Sequence, residues 1–550
     1  MKSLLRQLLT QPVRFAELLG ATFFIHLLGL AGTLYVILVF NNYLPYGVSA
    51  TLVTLAAGAI IASLSEAAFR RVRHRLSESA FSASLAHIAQ ELFTALTRAR
   101  RLSLESIAQA RRQEALHALA TLEQLASPPT VGALLDAPFA LVALIALFLI
   151  SPWLALIALL SIGLAWGATV ASRARLQRLT QDCAQQEAAS RALATTAIEQ
   201  PDTVRAFNAQ AGLAQRWQAV RAAGQLTRSA SASAMAATQN LTTSIAAWQG
   251  VAIIGVGAVS AANGELSAGA LIGANILAAR ALAPLLRLAS MGDLFARAAL
   301  AERQITEILR LPRETDSGVE PTTHDGGIEL SDVAFFYPGM TTPLFEHLSL
   351  RLAPGSALGV VGGNGSGKTT LACLLCGLID PVRGQILVDG MDIRQINPAW
   401  WRRQIGYLPQ EPAFLDATVR ENLPVDPDGT RLEEALQLSG LRGWLDGTPH
   451  GLETPLPGGG RSLAAGVRKR MALARALMAE GRLAVFDEPT DALDDEGCAA
   501  VYQAMNVLRS RGVTLVVLTH DPNVLRGVDW ILDLRIKPTP HLYPVASHGT

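Results

Sequence analysis

The sequence predicts two successive domains: an α-helical membrane domain of six spans, and an α/β domain built around a phosphate-binding loop. The chain of 550 residues is 50% hydrophobic and only 17% charged, whereas a soluble protein of this length usually has about 25% charged residues. The charge deficit falls in the N-terminal half. Beyond residue 327, short apolar runs alternate with helical patterns. The first part therefore belongs in lipid and the second in water.

Six apolar stretches in the first part are long enough to span a bilayer, which takes roughly 20 residues. They lie at about 17–41, 49–69, 134–150, 152–172, 244–263 and 267–290. The connections after the second and fourth spans are rich in arginine, and the other three are short and contain no Lys or Arg. Because positive loops stay in the cytoplasm, we expect a multi-pass protein with both termini and the second domain in the cytoplasm.

Composition also predicts the domain limits. Residues 1–310 should form the membrane domain, the polar segment 311–327 a linker, 328–535 the α/β domain and 536–550 a tail. The first apolar run is too long for a signal-peptide core, so we expect it to remain as the first span. The net charge of +1 and the absence of a basic block argue against a nucleic-acid partner.

The most informative motif is Gly362-Gly363-Asn364-Gly365-Ser366-Gly367-Lys368-Thr369, which fits G-x-x-x-x-G-K-[ST] between an apolar run and a helical segment. Glycines let backbone N–H groups close around phosphates, and the helix N-terminus adds positive charge. Lys368 should reach the β- and γ-phosphates, and the Thr369 hydroxyl should bind Mg²⁺. The motif predicts binding of a nucleoside triphosphate.

A second motif predicts hydrolysis. The apolar run Leu483–Phe486 ends in Asp487 and Glu488. One carboxylate at such a strand end can hold Mg²⁺, and the next can polarise an attacking water. Pro489-Thr490-Asp491-Ala492-Leu493-Asp494 follows, and later Leu515-Val516-Val517-Leu518-Thr519-His520.

With these motifs in this order, the whole chain resembles the ATP-binding cassette (ABC) family. The resemblance implies that Tyr337 stacks on adenine, Gln410 contacts Mg²⁺, Glu488 is the general base and His520 contacts the γ-phosphate. It also implies that Asp494 contacts a second cassette. The predicted catalytic residues are Glu488 and His520. The predicted ATP-binding residues are Tyr337, Gly362, Gly363, Asn364, Gly365, Ser366, Gly367, Lys368, Thr369, Thr370, Gln410 and Asp487, with Thr369, Gln410 and Asp487 on Mg²⁺.

One element departs from the family pattern. Where the family signature usually reads Leu-Ser-Gly-Gly-Gln, this chain has Leu463-Ala464-Ala465-Gly466-Val467. The hydroxyl that would bond the γ-phosphate is lost, at a cost of about 1–3 kcal/mol. In this family two cassettes sandwich two ATP molecules, each between one phosphate loop and the other chain's signature. We therefore expect a heterodimer with one competent and one degenerate site. The alternative is a slow homodimer.

The membrane half resembles bacterial type I secretion ATPases in three stretches: Leu135-Asp136-Ala137-Pro138-Phe139, residues 269–285 and residues 40–45. That resemblance implies an inner-membrane exporter that hands unfolded polypeptide to a periplasmic adaptor and an outer-membrane channel. Only about 16 residues precede the first span, so we expect no peptidase domain ahead of it. Alternatives are an exporter of peptides, lipids or small amphiphiles, and a regulatory subunit that binds nucleotide with little turnover.

Arg280 is the residue of interest within the spans. A charge at membrane depth is costly and usually faces protein or water. Arg280 therefore either lines the transport path or makes a structural bond to neighbouring carbonyls, and the sequence leaves both open.

Overall fold

The computed structural model describes residues 11–47, 49–426 and 429–545. Contacts divide the chain into two compact units. The first unit comprises residues up to Thr97 together with Ile107–Leu311. The second comprises Arg98–Ser106 and the chain from Pro312 onward.

The first unit is helical throughout its described part. Its helices are α1 (Pro12–Leu38), α2 (Ser49–Arg98), α4 (Gln109–Leu125), α5 (Pro128–Ile150), α6 (Pro152–Glu199), α7 (Pro201–Ala206), α8 (Gln210–Ala262), α9 (Ala268–Ser290) and α10 (Gly292–Leu309). A π-helical turn, Val39–Tyr43, and a short α-turn, Leu44–Tyr46, extend α1. Helix α3, Arg101–Glu105, belongs to the second unit.

Six helices in the described part of the chain are long and apolar enough to cross a membrane, and each contains or overlaps one predicted span. Helices α5 and α6 begin with Pro at their first turn, where the missing N–H would have no helical partner anyway. Helices α2, α6 and α8 continue without a break for 48–53 residues. Buried apolar side chains of α5, α6, α8 and α9 form one packed cluster around Leu147, Leu154 and Ile253.

The second unit is α/β. A four-stranded antiparallel sheet has the order β2-β1-β4-β5, and a six-stranded sheet has the order β10-β9-β3-β8-β7-β6. The strands are β1 (Ile328–Phe335), β2 (Phe345–Leu352), β3 (Ala357–Val361), β4 (Arg383–Val388), β5 (Met391–Asp392), β6 (Ile405–Leu408), β7 (Leu483–Asp487), β8 (Thr514–Leu518), β9 (Trp530–Asp533) and β10 (His541–Pro544). The α-helices are α11 (Lys368–Leu375), α12 (Pro398–Arg403), α13 (Thr430–Leu438), α14 (Arg442–Asp446), α15 (Ala465–Leu477), α16 (Asp495–Ser510) and α17 (Pro522–Leu525).

Strands β3, β7 and β8 lie at the centre of the larger sheet and run parallel. Their residues are nearly all buried, because helices cover both faces of such a sheet. The carboxyl ends of parallel strands meet at one edge, where ligands bind in α/β folds. The phosphate loop, Glu488 and His520 follow these three strands.

Two segments differ from the domain limits expected from composition. Residues 98–106 group with the second unit, because Arg100 N–H donates to Pro312 O at 2.9 Å and Leu102 packs against its core. Within the expected tail, His541–Pro544 form β10, which pairs antiparallel with β9. Its alternation is only four residues long, too short to stand out in the sequence. Residues 546–550 of that tail lie outside the described residues.

Candidate nucleotide-binding site

The phosphate loop joins β3 to α11 and owes its shape to glycine. Gly365 and Gly367 have φ of +74° and +107°, in the region that glycine adopts without strain. A Cβ at Gly367 would lie 2.8 Å from the Leu344 side chain. The motif therefore needs glycine here for both backbone conformation and space, and α11 begins directly at Lys368.

A cavity of about 370 Å³ lies over this loop. The predicted residues Gly362, Asp487 and His520 do not line it. The predicted ATP-binding residues on its wall are Tyr337, Gly363, Asn364, Gly365, Ser366, Gly367, Lys368, Thr369, Thr370 and Gln410, and the predicted base Glu488 joins them. Residues far apart in sequence thus share one concave, polar site at the carboxyl edge of the sheet.

Lys368 is the centre of the polar contacts. Its Nζ donates to Gly362 O at 2.7 Å and to His520 Nε2 at 2.7 Å, and lies 3.2 Å from Glu488 Oε1. Because an ammonium group can only donate, His520 accepts through Nε2 and carries its own proton on Nδ1. The lysine is thus held among three groups that a phosphate could replace as acceptors.

Glu488 and His520 are positioned by the ends of β7 and β8. Glu488 has a φ of +44°, which is uncommon for a residue with a side chain and occurs at functional sites. The Glu488 N–H donates to Leu518 O at 2.8 Å, and the His520 N–H donates to Glu488 Oε2 at 3.3 Å. The Glu488 carboxylate is therefore held against the His520 backbone, and His520 Nε2 lies 3.5 Å from Glu488 Oε1.

Asp487 is fully buried, and among the described residues neither of its carboxylate oxygens has a hydrogen-bond partner. Burial raises the pKa of Asp487, and the neighbouring Glu488 charge adds to the rise. An unpaired buried carboxylate is costly. Thr369 and Gln410 line the cavity, so this donor set fits a hard cation such as Mg²⁺.

Tyr337 lies at the rim of the cavity and is half-buried. Its hydroxyl is 2.9 Å from Thr370 Oγ1, and its ring meets Phe335 edge-on at 5.2 Å. These contacts fix an aromatic face beside the phosphate loop, as stacking on a base requires.

The degenerate signature lies elsewhere. None of Leu463, Ala464, Ala465, Gly466 and Val467 lines the cavity over the phosphate loop. Ala464 is the N-cap of α15 and offers no side-chain oxygen, where Ser would satisfy a free backbone N–H. Leu463 and Val467 pack against a separate core cluster, while Ala464 and Ala465 are exposed. The exposed helix N-terminus keeps its backbone donors but lacks the hydroxyl.

Asp494 caps α16. Its carboxylate accepts from Gly497 N–H at 2.9 Å and from Arg470 Nη2 at 2.8 Å. The Gly497 N–H, followed by Arg470, lowers the pKa of Asp494. Within one chain this side chain therefore has a structural role, next to the helix that follows the signature.

The sequence analysis missed Lys469. This lysine is 2% exposed, and its Nζ donates to three backbone carbonyls: Pro409 and Gln410 at 3.2 Å, and Asp487 at 3.3 Å. Burial lowers the pKa of Lys469 to about 8. It ties the helix after the signature to the Gln410 loop and to the end of β7. A basic residue on the otherwise apolar face of α15 was the only signal.

Comparisons with known proteins agree with this architecture. Residues 21–285 match the model of the ABC transporter transmembrane region, and residues 345–491 match the ABC transporter model. The chain is 31% identical over 281 residues to the leukotoxin translocation ATP-binding protein LktB of Mannheimia haemolytica, covering 50% of this chain and 40% of that protein. It is 36% identical over 222 residues to ABC transporter B family member 3 of Dictyostelium discoideum, covering 40% of this chain and 15% of that protein.

The fold also matches a solved structure, a bacterial Atm1-family ABC exporter with ATP bound. The TM-score is 0.81 at 20% identity, over 95% of this chain and 94% of the other. The chain belongs to the ABC transporter family and joins the transmembrane region to the ATP-binding domain in one half-transporter. The predicted fold class is confirmed. The aligned segments span only 40% of the LktB protein and 15% of the Dictyostelium protein.

Proposed function

We propose that this chain is an ATPase that couples ATP hydrolysis to export across the bacterial inner membrane. The observation that carries the proposal is that Lys368, which lines the cavity over the phosphate loop, contacts both Glu488 and His520. The described part of the chain also has six helices able to cross a membrane. In this proposal the cassette and both termini are cytoplasmic.

The roles of the side chains follow from their contacts. Lys368 exchanges its present acceptors for β- and γ-phosphate oxygens. Glu488 accepts a proton from the attacking water, and His520 then contacts the γ-phosphate. Tyr337 stacks on the base. Thr369, Gln410 and Asp487 would hold Mg²⁺, which neutralises charge on the phosphates when bound.

For the cargo we propose a protein, with this chain as the ABC component of a type I secretion system. The similarity to a leukotoxin translocation protein supports this. The partners would then be a periplasmic adaptor and an outer-membrane channel. Peptides, lipids or small amphiphiles are the alternative cargo. The test deletes the gene and compares the culture medium. We expect one secreted protein to disappear from it, whereas an unchanged set of secreted proteins would leave the alternative cargo.

We propose that the working unit is a heterodimer. Lys368, Glu488 and His520 form a complete hydrolytic half, but Ala464 at the N-cap of α15 lacks the hydroxyl for the second half. A partner with an intact signature would complete the site at this chain's phosphate loop. The exposed Ala464 and Ala465 also favour a second candidate function, a regulatory subunit with little turnover.

The deciding measurement is ATP turnover by the purified chain in nanodiscs, alone and with an ABC half-transporter that has an intact signature. We expect slow turnover alone and a rise of about tenfold with the partner, the effect of about 1.4 kcal/mol. Fast turnover by the chain alone would replace the heterodimer with a homodimer. ATP binding without turnover in either sample would contradict the ATPase and favour the regulatory subunit.

A further inference from the structure

Arg280 lies in the middle of a helix that is otherwise suited to the membrane. Helix α9 has 23 residues, and a rise of 1.5 Å per residue puts Arg280 about 18 Å from its start and about 15 Å from its end. A guanidinium at this depth is costly unless it faces water or a charged partner. Its surroundings therefore indicate what it does.

No hydrogen bond or ion pair reaches the Arg280 guanidinium from any residue in the described ranges, and the side chain is exposed. The Glu66 carboxylate is nearby, since its Oε2 would lie 3.9 Å from a Cβ at Gly29, but among the described residues no ion pair joins it to Arg280. Arg287, two turns along α9, lies 3.3 Å from Asp136. The carboxylate of Glu66 is 2.5 Å from Arg70. A structural bond to neighbouring carbonyls, which the sequence left open, is absent within this part of the chain.

Two glycines of α1 make room for this side chain. A Cβ at Gly29 would lie 2.4 Å from Arg280 Nη1, and one at Gly32 would lie 3.7 Å from Nη2. The guanidinium therefore lies along the backbone of α1 at two residues that have no side chains. We call the space along α1 at Gly29 and Gly32 the glycine notch. Gly29 is buried and Gly32 is exposed, so the notch opens on the Gly32 side.

We propose that Arg280 binds an oxyanion of the transported molecule, a carboxylate or a phosphate, halfway across the membrane. This inference rests on the proposed export function. It specifies the chemical group of the cargo that the transport path would bind. An unpaired guanidinium presents a planar set of donors that matches both oxyanions in bidentate geometry. The glycine notch positions these N–H donors but offers them no acceptor among the described residues.

The experiment measures binding and does not require turnover. The full chain is placed in nanodiscs of zwitterionic lipid, and the anisotropy of a fluorescent twelve-residue peptide with alternating Glu and Ser is followed. The same peptide with Gln in place of Glu is the neutral probe. We expect the Glu peptide to bind at least tenfold more tightly than the Gln peptide, and Arg280→Gln to remove that difference. Arg287→Gln, which alters an arginine already paired with Asp136, should preserve it.

A second pair of variants keeps the charge and moves it. Gly29→Ala places a methyl group where Nη1 now lies, and the flexible end of Arg280 can shift to admit it. Gly20→Ala on the same helix meets nothing within 4 Å. We expect Gly29→Ala to weaken binding of the Glu peptide about fivefold and Gly20→Ala to leave it unchanged. Equal affinities in these two variants would contradict the role of the notch.

Further measurements identify the source of the oxyanion and the results that would contradict the proposals. If phosphatidic acid in the nanodisc competes with the peptide in the wild type but not in Arg280→Gln, a lipid phosphate also occupies the site. If Arg280→Gln binds the Glu peptide as the wild type does, Arg280 does not bind the oxyanion and the proposal fails. If Arg280-dependent binding is found but the chain shows no ATP turnover either alone or with a partner, the binding site is supported and the export function is contradicted.

Discussion

The two regions of this chain that we propose contact nucleotide differ in how completely they are built. On the phosphate-loop side, Lys368 Nζ has acceptors at 2.7, 2.7 and 3.2 Å, and the strand ends fix Glu488 and His520. On the signature side, the N-cap of α15 is Ala464, which has no side-chain oxygen to offer. Because each ATP in this family meets one region from each chain, the comparison implies that the two sites of a dimer depend on different chains.

The strongest test of the complete region is Lys368→Ala. We expect ATP turnover to fall by roughly a hundredfold or more, because a fixed positive charge at the transferred phosphate is lost. Turnover is measured with the purified chain and its partner. The protein should still be found in the membrane, since the lost ammonium serves phosphate.

Arg351→Ala is the control, because that side chain is 84% exposed on β2. Its turnover should match that of the wild type. If Lys368→Ala keeps normal turnover, hydrolysis takes place at the other site and the phosphate-loop side is not the working half.

Glu488→Gln tests the general base with little change of shape. The single amide oxygen can accept from either Lys368 or the His520 N–H, which now contact different carboxylate oxygens, and it cannot take a proton from water. General bases contribute about 10²–10⁴-fold, so we expect turnover to fall by about a hundredfold while ATP stays bound. Filter binding of labelled ATP measures the second part. The control is Glu496→Gln, which changes an exposed carboxylate at the start of α16. Normal hydrolysis in Glu488→Gln would remove Glu488 as the base.

The sequence predicted much of the phosphate-loop side, because short motifs set local geometry there. Gly365, Gly367 and Lys368 act within one turn, and hydrophobic runs identify β3, β7 and β8. It could not show Lys469, whose acceptors Pro409 and Gln410 are 60 and 59 residues away. Only the packing of α15 against the sheet brings them together.

The membrane half shows the same limit. Asp136 lies 3.2 Å from His26, 2.5 Å from Arg73 and 3.3 Å from Arg287. These residues come from helices α1, α2 and α9, so no spacing within one helix reveals the group. The sequence identified Asp136 only through its place before Pro138, as one part of a resemblance to secretion ATPases.

Lys469→Met tests the contacts that connect α15 to the phosphate-loop side. It changes no residue of the phosphate loop or of the signature. Three carbonyl contacts are lost, and the Gln410 loop and the end of β7 are no longer tied to α15. We expect turnover at saturating ATP to fall about tenfold, roughly the net value of one to two hydrogen bonds. ATP affinity should change little, because the phosphate loop is untouched. Unchanged turnover in a folded variant would show that Lys469 only fills space.

The same variant has a pH signature. Burial lowers the pKa of Lys469 to about 8 from its ordinary 10.5, so between these values the unfolded chain binds more protons than the folded one. Stability of the wild type should therefore rise as pH increases from about 8 towards 10.5. Lys469→Met should lack this contribution, which thermal unfolding at pH 7.5 and 9.5 can measure. Equal responses of the two proteins would contradict the lowered pKa.

Repair of the signature should have the smallest effect if the heterodimer is correct. The triple variant Ala464→Ser, Ala465→Gly and Val467→Gln restores the helix cap and the hydroxyl at the start of α15. That segment faces the partner's phosphate loop, whereas turnover already occurs where Lys368, Glu488 and His520 lie. Total turnover of the heterodimer should then change less than about twofold, a barrier difference of about 0.4 kcal/mol.

A homodimer predicts the opposite result, because the repair improves both sites at once. Recovery of about 1–3 kcal/mol per site would raise the rate about tenfold or more, since about 1.4 kcal/mol corresponds to a decade. The measurement is turnover of the wild-type and repaired chains, each with no other ABC subunit present. The single change Gly443→Ser, at an open position on α14, controls for an added hydroxyl on the same unit. A fast wild-type rate in that sample that rises steeply on repair would contradict the heterodimer. It would favour a homodimer with two equal sites.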